Sequence, residues 1–133
     1  MSGFLEKSHQ NLAAAKSMIE EKGLFTSSVS RSYYALMQNM FHHLFFTLPN
    51  DYEQYKVDAE NKGSHIAAFQ MLQDHIKCTN DEYKWLKDAF FSLKSLREKA
   101  DYSDKLIAAK EAGKGYDKAA DLMIFLDKKP FIR

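Results

Sequence analysis

The chain has 133 residues, of which 45% are hydrophobic and 14% aromatic, and its formal net charge is +1. A chain of this length and composition can bury a continuous core, so we expect one domain over 1–133, with its core between about 5 and 127. The balance of 19 basic and 18 acidic residues lacks the overall basic excess of dedicated nucleic-acid-binding proteins, although it is compatible with a small local basic site.

The chain has no apolar run of the roughly 18 residues that a membrane span requires, and its N-terminus lacks the apolar segment of a signal peptide. Its only cysteine, Cys78, has no partner for an intramolecular disulfide, which fits a reducing compartment. We therefore expect a cytoplasmic protein that does not associate with a membrane.

The hydrophobic pattern predicts an all-α fold, an up-and-down antiparallel bundle of about five helices. In chain order, the helices are predicted at about 3–22, 27–47, 64–77, 80–99 and 106–127. Ser64 is the expected cap of the third helix, and Thr79 with Glu82 has the form of a capping box that opens the fourth. The polar, aperiodic segment 51–63 is predicted as a loop, and a break is expected over 101–105.

The spacing of apolar residues predicts which side of each helix faces the core. In the second helix the inward stripe is predicted to contain Tyr34, Met37, Phe41, Leu44 and Leu48. In the fourth helix, Tyr83, Leu86, Phe90 and Leu93 recur at the spacing of one face, and Arg97 takes the next position on it.

Arg97 is therefore the strongest candidate for a functional residue. A guanidinium keeps its proton in a protein, so at an inward position it requires a carboxylate, carbonyl groups or a bound anion. One interpretation is a structural pair with Asp101, one turn later, with the Tyr102 hydroxyl tied to the same network. The alternative is an anion clamp in which Arg97 presents its planar fork to a phosphate.

A second arginine, Arg31, lies near the start of the second helix and shares one side of it with Ala35, Gln38 and His42. The small residue in the middle of this semi-polar side would allow another helix or another chain to approach. The alternative is an ordinary solvated side of the helix.

His65 lies on the apolar stripe of the third helix, next to its N-terminus. Burial and the positive end of the helix both disfavour the imidazolium, so His65 is either a hydrogen-bond acceptor or base, or a satisfied core histidine. His42 and His43 are adjacent and point to different sides, and Cys78 has no companion, so no metal site and no cofactor are expected. The motifs of serine hydrolases, phosphate-binding glycine loops and glycosidases are absent.

Three motifs in order resemble the HEPN superfamily of small bacterial and archaeal proteins, in its stand-alone branch. They are Ser-Arg-Ser-Tyr-Tyr-Ala at 30–35, Gly-Ser-His at 63–65 and Arg-x-x-Ala-Asp-Tyr ending the fourth helix. The resemblance implies a helical bundle that forms a homodimer with a polar cleft between the subunits. It also implies either a metal-independent ribonuclease, in toxin–antitoxin or defence systems, or a protein that binds a minimal nucleotidyltransferase.

In the ribonucleases of this family, an Arg and a His four to six residues later act on the RNA phosphodiester. Here the Arg corresponds to Arg97, but the position of the His is occupied by Asp101 or Tyr102. We expect Arg97, Tyr102, Asp101 and His65 as catalytic candidates, and Arg31, Tyr34 and Ser30 as ligand-binding candidates. A non-catalytic module that binds a nucleotide, RNA or a partner protein is the alternative, because a carboxylate repels phosphate and tyrosine is a poor base at neutral pH.

Overall fold

The computed structural model describes residues 3–131, and these residues form six α-helices and one short 3₁₀ helix. The α-helices are α1 (Gly3–Glu20), α2 (Phe25–Thr47), α3 (Tyr52–Lys62), α4 (Ser64–His75), α5 (Asn80–Tyr102) and α6 (Ala109–Lys128), and the 3₁₀ helix spans Pro49–Asp51. The described part of the chain contains no strand, only one isolated bridge between Ile76 and Phe131. The prediction of an all-helical fold is confirmed.

Helix α2 is the centre of the fold, since it packs against α1, α4, α5 and α6. Its buried stripe runs through Tyr33, Leu36, Met37, Met40 and Leu44. Each such side chain removed from water contributes about 1.5–3 kcal/mol to stability. No helix within residues 3–131 has the length and apolar character needed to cross a membrane.

The buried stripe of α2 corrects the predicted one at Tyr34. Tyr33 is fully buried, whereas Tyr34 is 37% exposed. The two tyrosines are adjacent on the helix and about 100° apart, so only one of them can point into the core. The helix is rotated toward Tyr33, and Tyr34 lies at the edge of the core.

The segment predicted as a loop over 51–63 is also corrected, because it forms α3. Its sequence lacks an apolar stripe, but Tyr55 is buried and packs edge-on against Phe41 and Phe45 of α2. Tyr52 also packs edge-on against Phe45, and α3 packs against α4, so tertiary packing decides the structure where the periodicity is weak.

Gly63, and not Ser64 as predicted, occupies the cap position between α3 and α4. Its φ is +89°, a conformation that favours glycine, and this allows α4 to begin directly after α3 ends. Ser64 is therefore the first helical residue of α4.

The capping box that opens α5 is confirmed: Thr79 Oγ1 accepts from the Glu82 backbone N–H at 3.2 Å, and Glu82 Oε1 accepts from the Thr79 N–H at 3.0 Å. The predicted break at 101–105 is wrong at its start, because α5 continues through Tyr102. Asp101 and Tyr102 thus belong to the last turn of the helix that carries Arg97.

Helices α5 and α6 run antiparallel. The Lys99–Glu111 ion pair, the Leu96–Gly115 contact and the Trp85–Phe125 ring pair follow opposite orders along the two helices. Gly115 permits the close approach, because a Cβ at this position would lie 2.9 Å from Leu96 Cδ2.

Candidate functional site

Helices α2, α4 and α5 bring all the predicted site residues except Arg31 into one polar and aromatic group. We call this group the Arg97 cluster, and it consists of Ser30, Tyr33 and Tyr34 of α2, His65 of α4, and Arg97, Asp101 and Tyr102 of α5. The three helices meet here because the apolar stripes of α2 and α5 pack against each other and α4 packs against α2.

Arg97 continues the buried face of α5 beyond Leu93, as the sequence predicts, and only 12% of its side chain is exposed. Its Nη2 donates a hydrogen bond to the Tyr34 hydroxyl at 2.8 Å. Its buried Nε lies 2.9 Å from Asp101 Oδ2, so the two side chains form an ion pair, although the N–H is not aligned for a hydrogen bond. The guanidinium is therefore fixed at two positions.

Three aromatic rings surround the guanidinium. The distances from Arg97 Cζ to the ring centroids are 5.2 Å for Tyr33, 5.5 Å for Tyr34 and 5.1 Å for Tyr102. Contacts of a cation with an aromatic face contribute about 0.5–1 kcal/mol each at exposed sites and more where water is excluded. They compensate part of the hydration that the partly buried cation loses.

The charge of Arg97 is maintained. Burial lowers the pKa of the guanidinium, but the hydrogen bond to Tyr34 and the surrounding groups, including the Asp101 carboxylate, raise it by more. The net pKa is above that of a free arginine, so Arg97 is a cation at every pH at which the protein folds.

Asp101 joins two helices through its two oxygens. Oδ2 faces Arg97, while Oδ1 accepts a hydrogen bond from the Ser30 hydroxyl of α2. The carboxylate therefore holds the Nε edge of the guanidinium and leaves N–H groups of Nη1 and Nη2 without a hydrogen-bond partner among residues 3–131.

His65 enters the cluster from the first turn of α4. Its Nδ1 lies 2.9 Å from the hydroxyl of the buried Tyr33, and its ring packs edge-on against Tyr34 with the centroids 6.3 Å apart. Burial, together with the positive charges of Arg97 and Lys94, lowers the pKa of the His65 imidazole. His65 is thus neutral at pH 7, as the sequence predicts from its position.

The hydrogen bond with Tyr33 determines which nitrogen of His65 carries the proton. Burial raises the pKa of Tyr33 far above its usual value, so its hydroxyl remains protonated. Because this hydroxyl has no other acceptor within the described chain, we infer that it donates to Nδ1 and that Nε2 carries the imidazole proton. His65 then offers a hydrogen-bond donor at Nε2.

Arg31 lies outside the cluster. It shares its side of α2 with Gln38, and this side faces α1: Arg31 Nη1 donates to Asn11 Oδ1 at 3.1 Å, and Asn11 Nδ2 donates to Gln38 Oε1 at 2.6 Å. The semi-polar side of α2 is therefore occupied by α1, which accounts for its small and polar residues.

The sequence analysis missed two polar features. Tyr33 was overlooked in favour of Tyr34, although both lie in the same motif. The second feature is Asp127, whose Oδ1 lies 2.7 Å from His43 Nε2 and accepts from Asn39 Nδ2 at 3.1 Å. Burial raises the pKa of Asp127, but these two hydrogen bonds, together with the electrostatic effect of His43 and His9, lower it by more. The i, i+4 spacing of Asn39 and His43 was the available signal.

Comparison of the chain with protein-family models, with curated proteins and with solved structures gave no match in any of the three. Among residues 3–131, no group of three or more His, Cys, Asp or Glu side chains is arranged to hold a metal ion.

Proposed function

We propose that this chain is a HEPN-like protein of toxin–antitoxin or defence type, and that its Arg97 cluster binds a phosphate group of a nucleotide or of RNA without cleaving it. The observation that supports this most is the guanidinium of Arg97, held at one edge by Asp101 and Tyr34, with N–H groups left unpaired on its terminal nitrogens. A fixed arginine fork with free N–H groups suits the geometry of a phosphate.

The neighbours of Arg97 support binding more than catalysis. His65 is neutral and presents a donor at Nε2, which suits a phosphate oxygen but not the removal of a proton from a ribose hydroxyl. Asp101 has both oxygens engaged, by Arg97 and Ser30, and therefore acts as a positioning residue.

Exposed aromatic rings beside the cation favour a ligand that contains a base. Tyr102 is 73% exposed and Tyr34 is 37% exposed, and both rings lie against Arg97. A nucleobase stacked on such a ring contributes about 1–3 kcal/mol to binding, with little dependence on which base it is. A ligand whose phosphate binds Arg97 and whose base stacks on Tyr102 is a nucleotide or an RNA end.

The test is thermal unfolding of the purified protein with increasing AMP, ADP, inorganic pyrophosphate or a short single-stranded RNA. A ligand at a hundredfold its Kd stabilises the folded state by about 2.7 kcal/mol. We expect stabilisation of the wild type by at least one nucleotide or by the RNA, and its loss in Arg97→Ala. Tyr102→Ala should weaken binding of the base-containing ligands and leave pyrophosphate binding unchanged.

Arg31→Ala is the matched control, because it removes an arginine that contacts Asn11 of α1 and lies outside the cluster. It should bind like the wild type. Equal stabilisation of wild type and folded Arg97→Ala by every ligand would refute the proposal, as would the absence of any stabilisation of the wild type.

A second candidate function is a metal-independent ribonuclease, favoured by the position of a neutral imidazole beside an arginine. In this case Arg97 would stabilise charge on the phosphorane and His65 would donate a proton. Incubation of a mixed RNA pool with the protein in EDTA distinguishes the two functions. Cleavage by the wild type that is lost in folded Arg97→Ala and in His65→Gln would establish the ribonuclease; intact RNA would leave the binding function.

A further inference from the structure

A groove runs along the outer surface between α5 and α6. It consists of two adjoining depressions of about 330 and 340 Å³, which share Ser92 and Lys118 as lining residues. Its floor contains the buried small residues Ala89 and Gly115, which leave room for another element to approach the two helices. We call this feature the α5–α6 groove.

The groove has the length and shape that suit a helix. On α5 its lining residues extend from Trp85 to Lys99, a distance of about 21 Å at the rise of an α-helix. This length corresponds to about four helical turns. A groove between two packed helices is also the surface into which the side chains of a third helix fit.

The charges in the groove are ordered along its length. Asp88 and Asp121 line one depression, Lys114 lines the other, and Lys118 lies between the two. Within the part of the chain that the structure describes, none of these four side chains forms an ion pair. The groove thus carries unpaired negative charge at one end, and unpaired positive charge in its middle and toward the other end.

The spacing of these charges along α6 is that of one side of a helix. Lys114, Lys118 and Asp121 are separated by four and then three residues, or about 6 and 4.5 Å along the axis. A helix laid alongside α6, with Glu at positions i and i+4 and Lys at i+7, would place one opposite charge against each of them. This order also puts the acidic residues nearer the N-terminus and the basic residue nearer the C-terminus, as the helix dipole favours.

We propose that the α5–α6 groove binds an amphipathic α-helix of a partner protein, which runs parallel to α6. Two acidic residues of this helix, one turn apart, face Lys114 and Lys118. A basic residue on its next turn faces Asp88 and Asp121, and apolar side chains between these charges pack on the floor of the groove. The helix also covers Trp85, which is 41% exposed in the free chain and would be an aromatic anchor of the interface.

Two other occupants fit the charges less well. A phosphate backbone laid along the groove would meet Asp88 and Asp121 at one end, and both carboxylates would repel it. A second copy of this chain does not supply the complementary order of charges. The half-turn that brings Asp121 against Lys114 also brings the two copies of Lys118 together.

The groove lies on the opposite side of α5 from Arg97. Lys99, at one end of the groove, follows Arg97 by two residues and is therefore rotated by about 200° around the helix. A helix bound in the α5–α6 groove leaves the Arg97 cluster open, so this inference does not depend on what the cluster binds.

The test uses Trp85 as the reporter, because it is the only tryptophan of the chain and lines the acidic end of the groove. The probe is a synthetic Ala-rich peptide of about 20 residues, long enough to be helical by itself. It carries Glu at i and i+4, Lys at i+7 and leucines on the same side, and it contains no tryptophan. We expect a saturable blue shift of the Trp85 emission. A charge-exchanged peptide, with Lys at i and i+4 and Glu at i+7, should bind at least tenfold more weakly.

The variant Lys114→Glu/Lys118→Glu should lower the affinity for the first peptide at least tenfold and raise the affinity for the charge-exchanged peptide. The matched control is Lys110→Glu/Lys128→Glu, which makes the same change of charge at exposed residues of α6 outside the groove. The control should bind both peptides like the wild type. Circular dichroism verifies that each variant is folded.

Three results with the peptides would overturn the proposal: no change in the Trp85 emission, equal affinity for the two peptides, or equal losses of affinity in the groove variant and the control variant. A change in the Trp85 emission on dilution of the protein alone would assign the groove to a second copy. Tighter binding of a short single-stranded RNA in the same assay would assign it to a nucleic acid, and either of these results would also overturn the proposal.

Discussion

Asp101 Oδ2 and Arg97 Nε lie 2.9 Å apart on successive turns of α5, and the carboxylate is the only acidic group within 4 Å of this guanidinium in the described chain. The pair is only partly accessible to water, with 12% of the Arg97 side chain and 28% of the Asp101 side chain exposed. Its strength should therefore lie between that of a surface ion pair and that of a fully buried one.

Replacement of Asp101 by Ala should destabilise the protein by about 1–3 kcal/mol, because it leaves the buried Nε of Arg97 without a counter-charge and removes the partner of Ser30. Urea unfolding measures the change. The matched control is Glu98→Ala, which breaks the i, i+4 ion pair with Lys94 on the same helix and should cost less than about 1 kcal/mol. Equal costs for the two variants would contradict the assigned role of Asp101.

Arg97→Lys should keep the positive charge but lower the affinity for the ligand at least tenfold. A lysine ammonium lacks the planar fork with which the guanidinium can contact Asp101, Tyr34 and a phosphate at the same time. It also packs less well against the tyrosine rings. Titration with the best ligand from the thermal scan measures the effect. Arg31→Lys serves as the control and should bind with unchanged affinity; full affinity in Arg97→Lys would show that charge alone is sufficient.

His65 should make the protein less stable in mild acid. Its folded pKa lies below 6.5, so as the pH falls below 6.5 the unfolded chain binds a proton at His65 that the folded chain does not. The contribution of neutral His65 to the free energy of unfolding is therefore complete above pH 6.5 and is lost as the pH falls toward the folded pKa. The free energy of unfolding then changes by at most about 1.4 kcal/mol per pH unit for one such group.

The measurement is urea unfolding of the wild type and of His65→Gln between pH 5 and 8, together with an NMR titration of the His65 ring. The variant should show a smaller decline in stability over this range. His42, whose pKa is also lowered by burial, contributes to the decline in both proteins and cancels in the comparison. An NMR pKa at or above 6.5 would be inconsistent with the buried, neutral imidazole.

Two glycines of α6 should differ in their response to substitution. Gly113 has open space at its Cβ position, so Gly113→Ala should stabilise α6 by about 0.5–1 kcal/mol through helix propensity. At Gly115 the new Cβ would lie 2.9 Å from Leu96 Cδ2, so this gain should be offset by displacement of Leu96, and the larger Gly115→Val should cost about 1–3 kcal/mol. Thermal unfolding of the three variants tests the close approach of α5 and α6.

The sequence was sufficient to predict the helices that have strong periodicity or clear caps. Thr79 and Glu82 mark the start of α5, and the Leu86, Phe90, Leu93 stripe places Arg97 at the edge of the core. It was insufficient for α3, because that helix depends on packing against α4 and on ring contacts of Tyr52 and Tyr55 with α2, which no local pattern encodes.

The candidate site was likewise predictable only in part. The inward position of Arg97 and the neutral state of His65 follow from their places on a helix stripe and at a helix start. The meeting of Ser30 with Asp101, and the choice of Tyr33 over Tyr34 as the buried ring, depend on how α2 is rotated against α5. The end of α5 was also placed too early, since the hydrogen bond from Ser30 stabilises a last turn that is polar in sequence.

The Ser30–Asp101 hydrogen bond has a consequence for folding kinetics. It closes a loop of 71 residues, whereas the helices themselves form through contacts of only a few residues. Closure of a loop this long is entropically unfavourable until the intervening helices have collapsed onto α2. The geometry that fixes Arg97 therefore requires α5 to be docked on α2, and a nascent chain or a folding intermediate with intact but undocked helices would still lack an ordered Arg97 cluster.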